Sequence, residues 1–383
     1  MNTPHYTKQV TNSFFCLRYL SLIIAVLFVL SGCASFGHRR VPPDRFNYNE
    51  VLAESSREQM LLNIIRLRYL EEPVFLVVSS ILTQYVYDVG AGVGGIFDLG
   101  GGSDTASAGA NVGYEERPTI TYLPVEGREF SAHLLSSIPG DFFFAAAQKG
   151  WDVDILMQIG LQRIGAVENM SFGAIPPPGD LDLRAQFQED LNKLKRFQHV
   201  MRLLVRLSDV EAYEVRMVEK NDAKEHHLIF SEKIPEEFQP MAKELRQLLE
   251  LSNRNTFRFT DRLTDTEDDE ISIQTRSVLA MMSFLSRGVE VPPEHLAEGR
   301  VIDYRFPESG EGSRTDLIPF KVLWSKQRPD KSFAAVRYQD YWFYIDHSDI
   351  NSKRSLGLII ALFRLQAPDT SGVAPVLTVP TGG

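Results

Sequence analysis

The chain has 383 residues, of which 44% are hydrophobic and 23% are charged, and 50 acidic side chains outnumber 40 basic ones. This composition is typical of a folded globular protein, and it excludes a disordered chain, a collagen and a small disulfide-rich scaffold. The net charge of −10 argues against general nucleic-acid binding, because neutralising phosphates requires clustered Lys and Arg side chains.

The N-terminal segment has the pattern of an export signal. Lys8 and Arg18 precede or border an apolar run from Tyr19 to Leu30, and no acidic residue occurs before the run ends. The run is well short of the roughly 20 apolar residues that a membrane-spanning helix needs. The sequence therefore predicts a signal peptide over residues 1–32 and not a membrane span.

The signal ends in a four-residue motif, Leu30-Ser31-Gly32-Cys33, that resembles the lipobox of bacterial lipoproteins. The resemblance implies cleavage after Gly32 and acylation of Cys33, which would anchor the mature chain stably in a membrane. Ala34 follows the cysteine where an Asp would signal inner-membrane retention, so the resemblance implies the outer membrane. The alternative is an ordinary cleaved signal with an incidental cysteine.

The two cysteines do not indicate a disulfide in the mature protein. The chain contains only Cys16 and Cys33, and Cys16 would leave with the signal peptide. We therefore expect no disulfide within one mature chain.

A tether and a helix are predicted at the start of the mature chain. Residues 33–47 are short, polar and proline-bearing, which predicts a tether between lipid and domain. Asn49 is a candidate N-cap for a helix that continues to Tyr69, and Pro73 marks its end. A buried strand is predicted from Val74 to Val78.

Three short helices and a proline cluster are predicted farther along the chain. The helices cover Glu126 to Leu135, Asp141 to Lys149 and Asp152 to Ile164. Residues 176–179, Pro-Pro-Pro-Gly, mark a candidate domain boundary. We therefore expect one α+β subdomain over residues 48–175 and a second over residues 180–365.

The second subdomain alternates predicted helices and strands. The helices cover Leu183 to Leu207, Pro240 to Leu251, Gln274 to Ser286 and Lys353 to Leu365. The strands cover Tyr213 to Val218, His227 to Phe230, Phe257 to Phe259, Phe320 to Ser325 and Phe333 to Tyr344. Residues 366–383 are proline-bearing and predict an extended tail, either free or adding Val376 to Val379 as a strand to a neighbour.

A glycine-rich segment over residues 81–125 shows strict alternation and predicts a long β-hairpin. One set of alternate positions is mostly apolar with tyrosine or phenylalanine near its ends, and the other set is polar or glycine. The apolar positions are Tyr85, Tyr87, Val89, Ala91, Val93, Phe97, Ala108, Ala110, Val112 and Tyr114.

The hairpin has the dimensions of a membrane-spanning β-strand pair. Tyr87 to Phe97 extends about 33 Å, and a tilt near 40° projects this to roughly 25 Å, the height of an outer-membrane barrel's apolar band. One hairpin cannot cross lipid alone because its edges would carry unsatisfied backbone groups. The pattern therefore favours an oligomeric pore in which at least about four copies donate one hairpin each.

Two other interpretations of this segment remain, and a third is excluded. One is a glycine-rich flexible loop and the other is a hairpin packed on the domain's own sheet, since glycines weaken strand interiors. Residues 90–95 formally match a dinucleotide-binding G-x-G-x-x-G motif. That motif requires a helix at its third glycine, and residues 96–102 do not predict one.

No motif for catalysis or metal binding is found in the sequence. The nucleophile elbow, the P-loop and the H-E-x-x-H motif are all absent. His226 and His227 are adjacent on a predicted strand, so they point to opposite faces and suit one metal ion poorly. They are interpreted as surface or edge residues.

Two groups of acidic residues are interpreted as structural. The run from Asp265 to Glu270 lacks the alternating ligands and the glycine of a calcium loop, which favours a solvated turn. Asp346, His347 and Asp349 follow an aromatic strand and either line a site or begin the loop that caps the last helix. Capping is the favoured interpretation.

Three segments resemble recurring blocks in a family of uncharacterised proteobacterial lipoproteins. They are Gln59 to Arg68, Glu116 to Tyr122, and Val336 to Tyr338 with Tyr341 to Asp346. The resemblance implies a cell-envelope location and implies no catalytic residue, ligand or site. The hairpin is also similar in pattern to the membrane hairpins of the curli secretion lipoprotein channel.

The sequence thus predicts an α+β lipoprotein of the outer membrane, anchored through Cys33. We expect a non-enzymatic scaffold or interaction protein without cofactor or metal, which associates with copies of itself or with other envelope proteins and not with nucleic acid. Its sharper form is a pore with one hairpin per copy. The alternative is a periplasmic enzyme or ligand-binding lipoprotein whose site is built from scattered residues.

Overall fold

The computed structural model describes residues 36–96, 105–124, 128–148, 151, 153–170, 183–220, 223–264, 267–302 and 318–366. Helices and sheets are mixed along this part of the chain, which confirms the predicted α+β class. The predicted lipobox, the proline cluster at 176–179 and the predicted tail beyond Gln366 lie outside the described residues.

Nine helices and eleven strands are named among the described residues. The helices are α1 (Phe36–Arg68), α2 (Arg128–Leu135), α3 (Gly140–Gln148), α4 (Val153–Gly160), α5 (Leu183–Asp209), α6 (Gln239–Leu248), α7 (Val278–Ser286), α8 (Pro293–Ala297) and α9 (Ile350–Gln366). The strands are β1 (Leu76–Ile96), β2 (Thr105–Pro124), β3 (Leu161–Ile164), β4 (Val167–Glu168), β5 (Tyr213–Lys220), β6 (Ala223–Phe230), β7 (Thr256–Thr260), β8 (Glu270–Thr275), β9 (Leu323–Ser325), β10 (Ser332–Tyr338) and β11 (Tyr341–Asp346).

The strands form three sheets. Six strands form the largest sheet in the order β4-β3-β8-β7-β6-β5, which is antiparallel except for the parallel pair β7 and β8. A second, antiparallel sheet has the order β10-β11-β9. β1 and β2 pair only with each other within the described residues.

Helix α1 begins earlier than the sequence predicts. Residues 33–47 are expected to form a tether, with the helix starting after Asn49, but α1 already begins at Phe36. The expectation is wrong for residues 36–47. Pro42 and Pro43, the seventh and eighth residues of α1, donate no backbone hydrogen bond, and the helix continues past them.

The residues from Arg57 onward form one compact unit and not the two predicted subdomains. The six-stranded sheet explains this, because β3 and β4 come from before the proline cluster and β5 to β8 come from after it. β3 pairs directly with β8, with Ile164 opposite Ile273. The expected boundary between residues 175 and 180 therefore does not separate two folding units.

A buried arginine reinforces the same connection. Arg276 is fully buried, and its Nη1 donates to the carbonyls of Gln158 and Ile159 at 3.0 Å each, while its Nη2 donates to the carbonyl of Met170 at 2.7 Å. Burial lowers the pKa of Arg276 to about 9. This guanidinium pairs with carbonyls at the end of α4, so it ties residues before the proline cluster to the segment between β8 and α7 after it.

The core lies between the six-stranded sheet and the helices that pack on it, among them α5, which contacts β4 and β5. α5 buries one stripe at helical spacing, including Phe197, Met201 and Leu204, as its sequence periodicity predicts. α9 contacts α2, α4 and α7. Phe143 and Phe144 of α3 are also buried, and Phe144 stacks on Phe259 of β7 with ring centroids 4.2 Å apart.

Two predicted helices are partly strands. The helix expected from Asp152 to Ile164 ends at Gly160, and the helix expected from Gln274 to Ser286 begins at Val278 after strand β8. Short apolar runs such as these do not distinguish helix from strand by periodicity. The pairing of β3 with β8 favours strands at both places, because each strand supplies hydrogen-bond partners to the backbone groups of the other.

Candidate functional site

The segment predicted as a hairpin forms a two-stranded antiparallel ribbon. β1 and β2, hereafter the ribbon, place Tyr87 opposite Tyr114 and Val89 opposite Val112. Ala91 lies opposite Ala110 in the same register. Because directly opposed residues share a face, the predicted apolar positions of both strands lie on one face of the ribbon. The intervening positions, which are mostly glycine or polar but include Leu82 and Val86, lie on the other face.

A shift in the register places the apolar pairs at the base of the ribbon on this same face, although Glu116 and Pro118 interrupt the face farther along. The pairing shifts by one residue between Val78 and Ser80, so Val78 lies opposite Tyr122 and Ile81 lies opposite Ile120. An unshifted ladder would move Ile81 to the polar face, since a slip of one residue exchanges the faces of a strand. The bulge therefore corrects the phase of β1.

The base of the ribbon exposes apolar side chains. Leu76 is 45% exposed, Ile120 is 42% exposed and Tyr122 is 54% exposed. The sequence predicts a buried strand from Val74 to Val78, but Val74 and Leu76 are exposed and only Phe75 is buried. Leu76, Ile120 and Tyr122 lie at the start of the apolar face defined by the register. Exposed apolar patches of this kind mark interaction surfaces.

Two amides of α1 hold the chain that enters the ribbon. The side chain of Gln59 accepts from the backbone N–H of Leu76 at 2.8 Å and donates to its carbonyl at 3.1 Å. Asn63 does the same for Val74, at 2.9 Å and 2.7 Å. The two amides stand four residues apart on a helix and meet backbone groups two residues apart, so together they act as a short substitute for a neighbouring strand.

An aromatic stack fixes the same point to the core. Phe75 lies between the two residues held by the amides, and its ring stacks on that of Phe363 of α9 with centroids 4.4 Å apart. Phe75 and Asn63 are both buried. The base of the ribbon is therefore rigidly attached to α1 and α9.

The predicted site residues fall into two groups. Cys33, Gly32 and Phe97 lie outside the described residues. The backbone of the others lies in the ribbon on the apolar face defined by the register, while their side chains are not among those that the structure describes. These others are Tyr85, Tyr87, Val89, Ala91, Val93, Ala108, Ala110, Val112 and Tyr114.

A second cluster of polar and aromatic residues was not predicted as a site. The hydroxyl of Tyr69 lies 2.7 Å from Nδ1 of His295, and both side chains are buried. The Tyr69 ring makes edge contacts with the rings of His295, Tyr338 and Phe343. The cluster brings the turn after α1 against α8 and the β10–β11 pair.

Polar groups surround this Tyr69–His295 cluster. The hydroxyl of Tyr338 donates to Glu71 at 2.6 Å, and the hydroxyl of Tyr341 donates to Glu294. The β10–β11 turn that carries these tyrosines has positive φ at Gln339 and at Asp340. The sequence does not indicate these pairs, because the two partners of each pair are more than 40 residues apart in the chain and only the tertiary structure brings them together.

Burial sets the charge state of the cluster. Burial lowers the pKa of His295, the positive charge of Arg300 lowers it further, and the charges of Glu298 and Glu294 oppose the shift. Burial also holds the pKa of Tyr69 far above its usual value. Both partners are therefore neutral near neutral pH, and they share one hydrogen bond in the interior.

The structure confirms one structural interpretation and corrects two others. Asp346 accepts from the backbone N–H of Ser348, and Asp349 accepts from that of Ser352 at 3.0 Å, so this loop caps the start of α9 as predicted. His226 and His227 lie on β6, an inner strand and not an edge, and both are half-buried.

The acidic run is not entirely a solvated turn. The carboxylate of Glu270 is buried in β8 and pairs with the guanidinium groups of Arg258 and Arg262. It also accepts from the backbone N–H of Glu267 at 3.1 Å. Three donors explain why this one acidic side chain enters the protein while its neighbours Glu267 and Asp268 stay exposed.

Neither a metal site nor a membrane-spanning helix is found in the described part of the chain. No three His, Cys, Asp or Glu side chains there gather closely enough to hold a metal ion. None of the described helices combines the length and the apolar character that crossing a bilayer requires.

Comparison of the chain with protein-family models, with curated proteins and with solved structures gives no match.

Proposed function

We propose that this protein is an outer-membrane lipoprotein that acts as a structural component of an envelope assembly through its ribbon. The observation that carries the proposal is the register of β1 and β2, which places two independent apolar alternations on one face. The phase is kept from the pair Tyr87 and Tyr114 to the pair Val93 and Ala108, and nearer the base the same face contains Glu116, opposite Tyr85. A ribbon buried on neither face has no reason to keep such a phase, whereas one that meets lipid or a partner on one face does.

The N-terminal sequence supports the membrane location. Leu30-Ser31-Gly32-Cys33 follows a short apolar signal, and acylation at Cys33 would hold the mature chain at a bilayer surface. The lipid anchor and the ribbon then act on the same membrane. The anchor provides the stable attachment and the ribbon provides a second, directional contact.

The sharper form of the proposal is an oligomeric pore. A lone two-stranded ribbon is marginally stable in water and cannot expose its edges in lipid. About eight strands close the smallest outer-membrane barrels, so about four copies suffice in principle. The polar face, which contains Asp88, Gly90, Asn111 and Ser107 in register, would then line the interior.

The role is structural and not enzymatic in this proposal. The polar side chains of the Tyr69–His295 cluster bond to one another, and they join three elements of the fold. Such bonds serve to hold the β10–β11 turn, α8 and the end of α1 together.

A cysteine scan of β1 tests the proposal. The mature chain has no cysteine besides Cys33, so single cysteines at positions 87 to 94 are labelled in outer membranes with a membrane-impermeant thiol reagent. We expect protection at Tyr87, Val89, Ala91 and Val93 and labelling at the intervening positions. Equal labelling at all positions would contradict insertion. Glu237→Cys, at an exposed site before α6, serves as the accessible control.

A further inference from the structure

We propose that ribbons of successive copies of this chain pair head to tail, with the free edge of β2 in one copy hydrogen-bonded to the free edge of β1 in the next. The partner is thus a second copy of the chain, and the contact uses two different edges. This inference rests on the proposed function for one premise, that the ribbons share a membrane.

The outer edges of β1 and β2 are long enough to pair with another strand of about the same length. β1 has 21 residues and β2 has 20, and no third strand joins either of them in the described ranges. Along each outer edge, alternate residues present an N–H and a C=O toward a side where no third strand lies in the described ranges, although Gln59 already bonds both groups of Leu76 at the base of β1. Inside lipid such groups must be bonded. Another copy supplies a strand of this length, whereas the tail segment Val376 to Val379 lies between two prolines and is too short.

The attachment at the base of the ribbon fixes the direction in which every copy enters the membrane. Gln59, Asn63 and Phe75 tie the base to the compact unit that begins at Arg57. The part of that unit outside the ribbon is too large to cross a bilayer, so all copies insert from one side. Neighbouring ribbons therefore run parallel to one another from base to tip.

The apolar face supplies the second constraint. The faces of neighbouring ribbons must point the same way, because the positions from Ile81 to Val93 that share a face in the register would all meet lipid. A two-fold contact between two β1 edges cannot satisfy both constraints. Its axis either reverses one ribbon from base to tip, or turns its apolar face to the other side.

Only the contact between unlike edges satisfies both constraints. When two ribbons share direction and face, the strand beside β2 is the β1 of the next copy. β2 runs from tip to base and β1 from base to tip, so this pairing is antiparallel like the one within each ribbon. A repeated contact between unlike surfaces closes into a ring when its rotation permits.

Disulfide crosslinking between two differently tagged versions tests the inference. One version carries a single cysteine on the polar face of β1, at Leu82, Gln84, Val86 or Asp88. The other carries a single cysteine on the same face of β2, at Gly113, Glu115, Arg117 or Thr119. The versions are produced together as full-length acylated proteins and oxidised mildly, which samples several registers between copies.

We expect mixed disulfides that contain both tags for at least one β1–β2 combination, and loss of that product when either version is produced alone. Disulfides between copies that carry the same β1 cysteine would overturn the head-to-tail contact, and so would the absence of a disulfide in every combination. Glu237→Cys replaces the β2 cysteine as a matched control and should give no mixed product.

Failure of the inference differs from failure of the proposed function. Alternate protection in the β1 labelling scan, together with disulfides between like edges, would leave membrane insertion standing and remove the head-to-tail contact. Equal labelling along β1 together with mixed disulfides would remove insertion and leave the contact between copies.

Discussion

The side chain of Asn63 binds both backbone polar groups of Val74, with its amide nitrogen 2.7 Å from the carbonyl and its amide oxygen 2.9 Å from the backbone nitrogen. Asn63 is completely buried. An interior amide with two such bonds fixes the chain at one point more firmly than packing alone, since each bond has a directional requirement. In this protein that point is the entry to the ribbon.

Asn63→Ala is expected to destabilise the compact unit by about 1–3 kcal/mol, because it leaves two backbone groups of Val74 without their partner. The free energy of unfolding from urea titration measures the effect. Ser55→Ala, at an exposed position of the same helix, is the control and should change stability by less than about 0.5 kcal/mol. Equal stability of the two variants would show that the amide bonds contribute nothing.

Tyr69→Phe is expected to lower stability by about 0.5–1.5 kcal/mol, because it removes the hydrogen bond to His295 and keeps the edge contacts of the ring. Thermal and urea unfolding measure the difference. The control is Tyr344→Phe, because no hydrogen bond of this half-buried hydroxyl is found among the described residues. A larger loss in the control than in Tyr69→Phe would refute the importance of the pair.

Stability is expected to fall as the pH drops below about 6.5, the usual pKa of histidine. The pKa of His295 is lowered in the folded protein by burial first and by Arg300 second, so the unfolded chain takes up the proton at a higher pH than the folded chain does. Unfolding is then favoured in this pH range. His295→Gln should reduce the slope of stability against pH between 7.5 and about 5.5, and His347→Gln, at an exposed position, should not.

Glu270→Gln is expected to cost about 1.5–3 kcal/mol, because it removes the charge that pairs with Arg258 and Arg262. Burial alone raises the pKa of Glu270, but the backbone N–H of Glu267 and the two guanidinium groups outweigh it, so the pKa lies below its usual range. The stabilisation is therefore present above the ordinary glutamate pKa, near 4.3, and is lost as the pH falls through the lower folded value. Urea unfolding at pH 7 and at about pH 3.5 measures this, with Glu267→Gln as the exposed control.

Cys33→Ser is expected to abolish incorporation of labelled palmitate and to release the protein from membranes into the soluble fraction or leave it as an uncleaved precursor. Cys16→Ser provides the matched control, because Cys16 lies in the predicted signal peptide and its replacement should leave labelling unchanged. Labelling that survives in the Cys33 variant would refute the lipid anchor.

Sequence patterns predicted elements well where one face or one period dominates. The helical stripe of α5, the β5–β6 pair and the antiparallel pairing of β1 with β2 all follow from the spacing of apolar residues. The capping of α9 by Asp349 also follows, because a cap is a local interaction. Local patterns failed at β3 and β8, where a short apolar run is compatible with both helix and strand and a distant partner makes the choice.

The candidate functional residues also divide into those that the sequence predicted and those that only the structure revealed. The ten positions of the apolar alternation were identifiable because the side-chain period of a strand is visible in the sequence. The Tyr69–His295 cluster and the buried Glu270 were not, because each depends on groups that only packing brings together. Glu270 differs from the other acids in its run by its partners alone.

The sequence by itself predicted the mixed α+β class and the amphipathic alternation of the ribbon, since composition and side-chain period are properties of neighbouring residues; the lipobox stays a prediction of the sequence alone. Only the tertiary structure showed that residues on both sides of the proline cluster share one sheet and that Gln59 and Asn63 hold the base of the ribbon. It also showed that the apolar positions of β1 and those of β2 lie on the same face. The physical reason is that buried backbone polar groups and buried charges need hydrogen-bond or ionic partners. The local sequence pattern does not indicate which distant group is that partner.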